Sequence, residues 1–216
     1  MLMIVVLIIF VFFVLIGMYY VKMCNHDDKY VEPFVEKDFL SLKKCKKIIN
    51  YCNNSGTMVD SMTVGGKNEK VRNSKQYWIT KENVLVRDIF KKVERKYSVN
   101  LENVESMQVV RYKPGQYFKP HHDACCDMFT CNEFLKRGGQ RVMTILIYLN
   151  EDFTGGNTKF PNLGLEFKPK PGSAIVFRTL GENSRTCHPH ALHEGTPVNS
   201  GEKWIANIWV REHKFK

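Results

Sequence analysis

From Glu105 onward the sequence consists of short β-like runs separated by Gly, Pro and Asn, and this pattern restricts the fold more than any other feature. Closely spaced short strands are typical of an all-β barrel or a double-sheet roll. About eight strands are predicted, including 107–112, 116–123, 142–149, 158–161, 165–167, 174–177 and 204–210. Residues 142–149 are apolar on both faces, which predicts a fully buried strand. We therefore expect a mainly β domain with a jelly-roll core.

Two amphipathic helices are predicted before this β-rich part, which makes the domain α+β. The first follows Asp38, a predicted N-cap, and its apolar stripe runs from Leu42 to Cys52 at spacings of three and four. The second covers about 83–97, and residues 53–66 between the two are turn-rich. Both helices are expected to support one side of the roll.

The first eighteen residues contain no charged side chain. As a helix they would be about 27 Å long, which nearly spans the hydrocarbon core of a bilayer. The run lacks a basic n-region and has no clear small-x-small site before Lys22, which favours an uncleaved signal-anchor over a cleaved signal peptide. The predicted organisation is a transmembrane signal-anchor helix at 1–21, a polar linker at 22–37 and one globular domain at 38–216.

Two features disagree about the side of the membrane on which this domain lies. Lys22, Lys29 and Lys37 follow the apolar run and no Lys or Arg precedes it, which by the positive-inside rule indicates a cytosolic domain. A cysteine-rich composition and the glycosylation sequon at Asn53 instead suit an oxidising lumen. The cysteines are Cys24, Cys45, Cys52, Cys125, Cys126, Cys131 and Cys187. We expect a lumenal domain in the endoplasmic reticulum or an equivalent compartment. The lysines that follow the apolar run leave open on which side of the membrane the domain lies.

The formal net charge of +10 lies wholly outside the apolar run. A basic surface can meet nucleic acid, anionic lipid or an acidic protein. The lysines, however, are concentrated in the helix-like segments, where solvated helix faces account for them. No arginine-rich run interleaved with aromatic residues is present, so nucleic acid is not an expected partner.

The densest chemistry of the sequence lies in residues 112–123, Tyr-Lys-Pro-Gly-Gln-Tyr-Phe-Lys-Pro-His-His-Asp. On a strand, His121 and Asp123 project from one face, and His122 projects from the other. One imidazole and one carboxylate on a shared face provide two corners of a metal site. A second histidine would complete the 2-His-1-carboxylate triad that holds Fe(II) and leaves positions open for oxygen and a co-substrate.

The candidate for that second histidine is His193. His188 and His190 lie close to it in the sequence and are alternative ligands. Lys203, ten residues beyond His193, favours His193, because a buried lysine on the last strand could pair with the distal carboxylate of a 2-oxo acid.

Five motifs occur in order: Tyr-x-x-Gly-Gln-x-Phe-x-x-His-x-Asp, Arg-Val-x-Thr-x-x-x-Tyr-Leu-Asn, Gly-Gly-x-Thr-x-Phe-Pro, His-x-Gly-x-Pro-Val and Gly-x-Lys-Trp. This set resembles the iron(II)/2-oxoglutarate-dependent prolyl 4-hydroxylases, and most closely the small stand-alone enzymes of plants, algae and large DNA viruses. The resemblance covers roughly residues 35–212. It implies a double-stranded β-helix core.

The resemblance also implies roles for particular residues. Fe(II) would be held by His121, Asp123 and His193, which are the catalytic residues; 2-oxoglutarate would meet Lys203, with help from Tyr112 and Thr158; Arg141 and Glu105 would line the peptide groove. The implied reaction decarboxylates 2-oxoglutarate to succinate and CO2 and hydroxylates a proline ring carbon in a protein substrate. Ascorbate is an expected further cofactor, and the sequence makes no prediction of the oligomeric state.

Other functions agree with parts of the sequence. The same iron chemistry could act on a lysine side chain or on alkylated nucleic acid, and the positive charge favours the latter. Lys203 in place of an Arg-rich closing motif, together with the predicted anchor, argues against nucleic acid. A catalytically silent jelly-roll binding module is a third possibility, against which the intact triad argues.

Two further features have alternative readings. Cys125, Cys126 and Cys131 follow Asp123 and could hold zinc, but no second His or Cys pair lies at finger-like spacing, which favours a disulfide-pinned loop or reduced cysteines. This insert could shape the mouth of the site. Trp78 is either a groove residue or a packed loop aromatic.

Overall fold

The computed structural model describes residues 29–56, 58–63, 66, 68–127 and 129–216. The predicted anchor at 1–21 and the first residues of the predicted linker lie outside these ranges. Within them, no helix has the length and apolar character needed to cross a bilayer. The membrane anchor therefore stays a prediction.

The described residues form a mainly β domain. The helices are α1 (Leu42–Asn54), α2 (Arg87–Tyr97) and α3 (Asn132–Leu135). The strands are β1 (Phe34–Glu36), β2 (Val59–Asp60), β3 (Lys75–Ile79), β4 (Met107–Tyr112), β5 (Phe118–His121), β6 (Arg141–Tyr148), β7 (Phe153–Gly155), β8 (Thr158–Phe160), β9 (Leu165–Phe167), β10 (Ala174–Arg178), β11 (His193–Gly195), β12 (Val198–Gly201) and β13 (Lys203–Arg211). This part of the chain has more strands than predicted, because several are too short to give a sequence pattern.

Antiparallel pairing assembles the strands into the predicted double-sheet roll. The larger sheet has the order β1-β10-β6-β13-β4-β3-β2, the smaller sheet has the order β5-β11-β8-β9, and β7 pairs with β12. The register places His121 on β5 opposite His193 on β11, and Tyr112 on β4 opposite Lys203 on β13. Strand pairing thus brings together residues that are far apart in the sequence.

Alternation along β6 divides the core into two clusters. Ile145 and Ile147 join the cluster that packs against α1 and α2. Leu146 and Tyr148 join the cluster between the two sheets. This confirms the prediction of a strand buried on both faces. Helices α1 and α2 cover one face of the larger sheet, and the second cluster lies on the opposite face.

The predicted helix starts are wrong. Asp38 lies in a turn with φ of 54°, and α1 is instead capped by Ser41, whose side chain accepts from the amide of the third helical residue at 3.2 Å. Helix α2 begins at Arg87 rather than at 83. The Asn83 side chain accepts from the Leu85 amide at 3.0 Å, and this local bond favours a turn over a helix.

Two segments predicted as irregular are strands. The end of the predicted linker is β1, which pairs with β10 at the edge of the larger sheet. Trp78 lies on β3 rather than in a loop. Both strands depend on partners that follow much later in the chain, which explains why local patterns did not identify them.

Candidate active site

Two histidines and one aspartate converge beside the paired strands β5 and β11. Nε2 of His121 lies 3.9 Å from Asp123 Oδ1, and Nε2 of His193 lies 3.7 Å from Asp123 Oδ2. One possible ligand atom from each residue lies within 4.8 Å of those of the other two, a spacing that one metal ion can bridge. The geometry joins His193, rather than His188 or His190, to the predicted pair.

Backbone carbonyls fix the orientation of both imidazoles. Nδ1 of His121 lies 2.7 Å from the Lys119 oxygen, and Nδ1 of His193 lies 3.0 Å from the Ala191 oxygen. A carbonyl oxygen only accepts, so each Nδ1 carries the proton and each Nε2 keeps a lone pair facing Asp123. A metal-ligating histidine requires this tautomer. Two neutral imidazoles and one carboxylate are a donor set that fits Fe(II).

Asp123 is itself held by two side chains of the larger sheet. Its Oδ2 accepts hydrogen bonds from Trp209 Nε1 at 2.9 Å and from Thr144 Oγ1 at 2.7 Å. Burial raises the pKa of Asp123, but electrostatic interactions with His193, His121 and Arg141, together with the Trp209 hydrogen bond, outweigh burial and hold that pKa well below its usual range. The carboxyl group therefore stays ionised, as a metal ligand must be.

The hydrogen bond from Trp209 gives a testable prediction. Trp209→Phe keeps an aromatic ring and removes the donor, and loss of such an outer hydrogen bond should lower Fe(II) affinity roughly 10- to 100-fold. Anaerobic titration with Fe(II) measures this. Trp78→Phe is the matched control, since the Trp78 ring lies 6.0 Å from the Trp209 ring and lines the same cavity. Equal affinities in the two variants would contradict the assignment.

A buried lysine lies against two tyrosine rings. Lys203 is only 2% exposed, and its Nζ lies 5.4 Å from the ring centroid of Tyr112 and 5.0 Å from that of Tyr148. No carboxylate among the described residues pairs with it. Burial, assisted by the charge of Lys168, lowers the pKa of Lys203 to about 7. An anionic ligand would stabilise an ammonium group in this setting.

Thr158 and a glycine pair complete the surroundings of the lysine. The buried Thr158 hydroxyl lies 2.8 Å from the hydroxyl of Tyr148, one of the two rings at Lys203. Gly156 has φ of 64°, and a Cβ there would lie 3.1 Å from Lys203 Cδ. The Gly-Gly turn therefore makes room for the lysine side chain.

Glu105 lies behind the cavity rather than in its wall. It is fully buried, and it accepts from Arg141 Nε at 2.7 Å, from Arg141 Nη2 at 2.9 Å and from Arg211 Nε at 2.7 Å. Burial raises the pKa of Glu105, but the two guanidinium groups outweigh it and lower the pKa overall. Any contribution of Glu105 to the groove would thus act through Arg141, which does line the cavity.

We expect Glu105→Gln to destabilise the fold. The amide removes the counter-charge of the buried Arg211 and leaves Arg141 only its 4.0 Å contact with Asp123. Breaking a buried ion pair in this way typically costs about 3–5 kcal/mol. Denaturant unfolding measures the loss. Glu151→Gln is the control, because its pair with Lys170 is exposed and should contribute less than about 1 kcal/mol. Equal losses in the two variants would disprove the structural role of Glu105.

The predicted site residues other than Glu105 all line one cavity of about 570 Å³. Trp78, 39% exposed, also lies in the cavity wall, which agrees with the first of its two predicted roles, a groove residue. Sequence reasoning missed Trp209 and Tyr148. A signal for Trp209 exists, because alternate residues of β13 counted from Lys203 face the cavity and Trp209 is one of them. Tyr148 belongs to the Arg-Val-x-Thr-x-x-x-Tyr-Leu-Asn motif, but its place beside Lys203 and Thr158 follows only from the fold.

Disulfides form in the insert that follows Asp123. They are Cys125–Cys131 and Cys126–Cys187. The first closes a small loop, and the second joins the insert to the segment that leads into His193. This agrees with a disulfide-pinned loop at the mouth of the cavity. Cys45 and Cys52, on α1, are buried free thiols.

The fold and the cavity together define a class of protein. Fe(II) fits the triad. A 2-oxo acid fits both the open positions of the metal and the buried Lys203, since it offers donor atoms for a metal and a distal carboxylate for the lysine. A jelly roll built in this way is an Fe(II)/2-oxo-acid oxygenase.

Comparisons with known proteins identify the family within this class. A model of the 2OG-Fe(II) oxygenase superfamily matches residues 107–211. A relative from Acanthamoeba polyphaga mimivirus, whose name assigns it to the prolyl 4-hydroxylases, is 50% identical over 192 residues, which are 88% of this chain and 78% of that protein. Prolyl 4-hydroxylase 1 of Arabidopsis thaliana is 37% identical over 194 residues, 81% of this chain and 67% of that protein.

A solved structure has the same fold. The viral collagen prolyl hydroxylase vCPH from Paramecium Bursaria Chlorella virus-1, in its 2OG complex, superposes with a TM-score of 0.67 at 33% identity, covering 85% of this chain and 97% of that chain. The chain belongs to the prolyl 4-hydroxylase family of 2OG-Fe(II) oxygenases. It is therefore an enzyme with Fe(II) as cofactor and 2-oxoglutarate as co-substrate, as predicted, and not a silent binding module.

Proposed function

We propose that this chain is a peptidyl-prolyl 4-hydroxylase that hydroxylates proline in a protein substrate with O2 and 2-oxoglutarate, releases succinate and CO2, and uses ascorbate as reductant. The observation that carries the proposal is the convergence of the triad and Lys203 in one cavity, in a chain whose relatives are named for this activity.

The chain's own residues would position both reactants. His121, Asp123 and His193 would hold the iron through two Nε2 atoms and one carboxylate. When bound, Fe(II) supplies the oxygen activation and decarboxylation that side chains cannot carry out. Lys203 would bind the distal carboxylate of 2-oxoglutarate. Tyr112 and Thr158 would bound that end of the cavity, because both are buried in its wall.

Arg141 would orient the peptide. Its guanidinium carbon lies 3.7 Å from the centroid of the Trp209 ring, and Glu105 holds it by two hydrogen bonds. A guanidinium group has five N–H donors, so Arg141 keeps donors for a substrate carbonyl. The Trp78 ring, 39% exposed in the same cavity wall, offers an apolar surface for a pyrrolidine ring. The Arg141 guanidinium lies 4.0 Å from Asp123, next to the place where the iron would be held.

Mass spectrometry of the purified chain's products tests the proposal. The chain is incubated with Fe(II), 2-oxoglutarate and ascorbate, together with proline-rich peptides, lysine-rich peptides or alkylated single-stranded DNA. We expect addition of one oxygen atom at proline, matched by succinate. Peptides with alanine in place of proline are the control. Oxygen added at lysine, or dealkylation of the DNA, with unmodified proline would overturn the substrate assignment.

The cellular location is a second part of the proposal. A membrane-anchored enzyme with a lumenal domain is supported by the uncharged run at the start of the sequence and by two disulfides, which persist in oxidising compartments. Glycosidase-sensitive modification of Asn53 in cells that express the full chain would support the lumenal side. An unglycosylated chain that is labelled by a cytosolic probe would refute it.

A further inference from the structure

A second group of metal-ligating atoms lies beside the first. One ligand atom from each of His122, Cys126 and Cys187 lies within 4.8 Å of the other two. Nδ1 of His122 is buried and has no hydrogen-bond partner in the described part of the chain. A buried ring nitrogen without a partner is costly, and a bound cation at this nitrogen would offset that cost. The proposed prolyl hydroxylation makes no use of any of these three atoms.

The donor atoms indicate which ion would bind. Two thiolates and one imidazole are a borderline-soft set that suits Zn²⁺, whereas the nearby triad contains no sulfur. Cys126 is exposed, so a fourth position can be filled by water. The sequence lacked a zinc pattern around Cys125, Cys126 and Cys131 because the remaining ligands, His122 and Cys187, do not lie at finger-like spacing.

The two sulfur atoms are joined in the structure as a disulfide. We propose that reduction of Cys126–Cys187 converts this cross-link into a Zn²⁺ site completed by His122. A dithiol reductant donates two electrons: the S–S bond breaks, two thiols form, and the dithiol becomes a disulfide. Zn²⁺ then displaces the two thiol protons and binds both thiolates.

The exchange preserves a connection between two segments of the iron site. Cys126 follows Asp123 by three residues, and Cys187 precedes His193 by six. A disulfide holds the two segments together under oxidising conditions, and a bridging ion would hold them together under reducing conditions. The two segments at the cavity mouth would thus stay linked in an oxidising compartment and in a reducing one.

Cobalt substitution tests the proposal. The full chain is reduced with a dithiol, freed of it under argon and titrated with Co²⁺. We expect an intense near-ultraviolet thiolate-to-cobalt charge-transfer band that saturates at one ion per chain. The triad cannot produce this band, because it has no sulfur. Adding Zn²⁺ should abolish the band, since Zn²⁺ binds such sites more tightly than Co²⁺, and the oxidised chain should show none.

Variants assign the ligands. Cys126→Ser/Cys187→Ser should lose the band. Reduced wild type is the proper reference for this variant, because both lack the Cys126–Cys187 disulfide. Cys125→Ser/Cys131→Ser, which removes the neighbouring disulfide, should retain it. His122→Ala should shift and weaken the band, and imidazole should restore it. Circular dichroism confirms that each variant is folded. The proposal fails if folded, reduced wild type gives no band, if the band survives in Cys126→Ser/Cys187→Ser, or if His122→Ala leaves it unchanged.

Discussion

Replacing Asp123 by alanine is expected to abolish turnover. Asp123 is the only carboxylate of the triad, and its two oxygens lie 3.9 Å and 3.7 Å from the Nε2 atoms of His121 and His193. Losing a direct ligand should have a larger effect than losing an outer hydrogen bond, so we expect activity and Fe(II) affinity to fall by more than about 100-fold. Succinate formation and anaerobic Fe(II) titration measure the two losses.

The control for this substitution is Asp127→Ala, in the same insert. Asp127 is exposed, and within the described part of the chain its carboxylate accepts only from the local groups of Phe129 and Thr130. In Asp123→Ala the Trp209 and Thr144 donors lose their acceptor, which should also cost about 1–3 kcal/mol of stability. Unfolding curves must therefore show that the variant is folded at the assay temperature. A folded Asp123→Ala variant with normal turnover would remove the triad from the mechanism.

Local patterns predicted the long strands, and they selected three residues, His121, Asp123 and His193, whose possible ligand atoms the structure brings within 4.8 Å of one another. β6 and β13 are long and strongly apolar, so their periodicity is clear. The same-face argument for His121 and Asp123 selected two residues that do converge, but its strand premise was incomplete, since β5 ends at His121 and Asp123 reaches the site from the bend that follows.

The features that could not be predicted from the sequence depend on contacts between residues that are far apart in the chain. Glu105 was expected in the groove, yet its carboxylate is used by Arg141 and Arg211, and the partnership with Arg211 is made only when β13 packs. Short strands such as β7 and β12 have three and four residues, too few to show a period. Cys126 and Cys187 are separated by 61 residues, and seven cysteines allow many pairings.

Replacing Lys203 by methionine should separate co-substrate binding from stability. Methionine fills similar space without charge, so the distal carboxylate of 2-oxoglutarate would lose its partner. Truncating one member of a buried charge pair costs about 2–5 kcal/mol, which corresponds to an increase of roughly thirty-fold or more in KM for 2-oxoglutarate. Without 2-oxoglutarate the free energy of unfolding should rise, because an unpaired buried ammonium is removed.

The pKa of Lys203 gives this prediction a pH dependence. In the folded chain that pKa is lowered from 10.5 to about 7, with burial as the main cause. Between these values the unfolded chain binds more protons than the folded chain, so the wild type without 2-oxoglutarate should gain stability as pH rises from 7 toward 10.5. Lys203→Met should lack this gain. A difference between the two stability curves isolates Lys203 from the other titrating groups.

Ligand binding should show the opposite slope. A carboxylate beside Lys203 favours the charged ammonium, so above pH 7 the binding of 2-oxoglutarate must take up a proton. Affinity for 2-oxoglutarate should therefore fall as pH rises above 7 in the wild type, by up to about tenfold per pH unit. It should be weak and nearly independent of pH in Lys203→Met. Lys170→Met, which removes an exposed lysine, should match the wild type in both measurements. If Lys203→Met destabilises the chain and leaves KM unchanged, Lys203 is a structural residue and the co-substrate carboxylate binds elsewhere in the cavity.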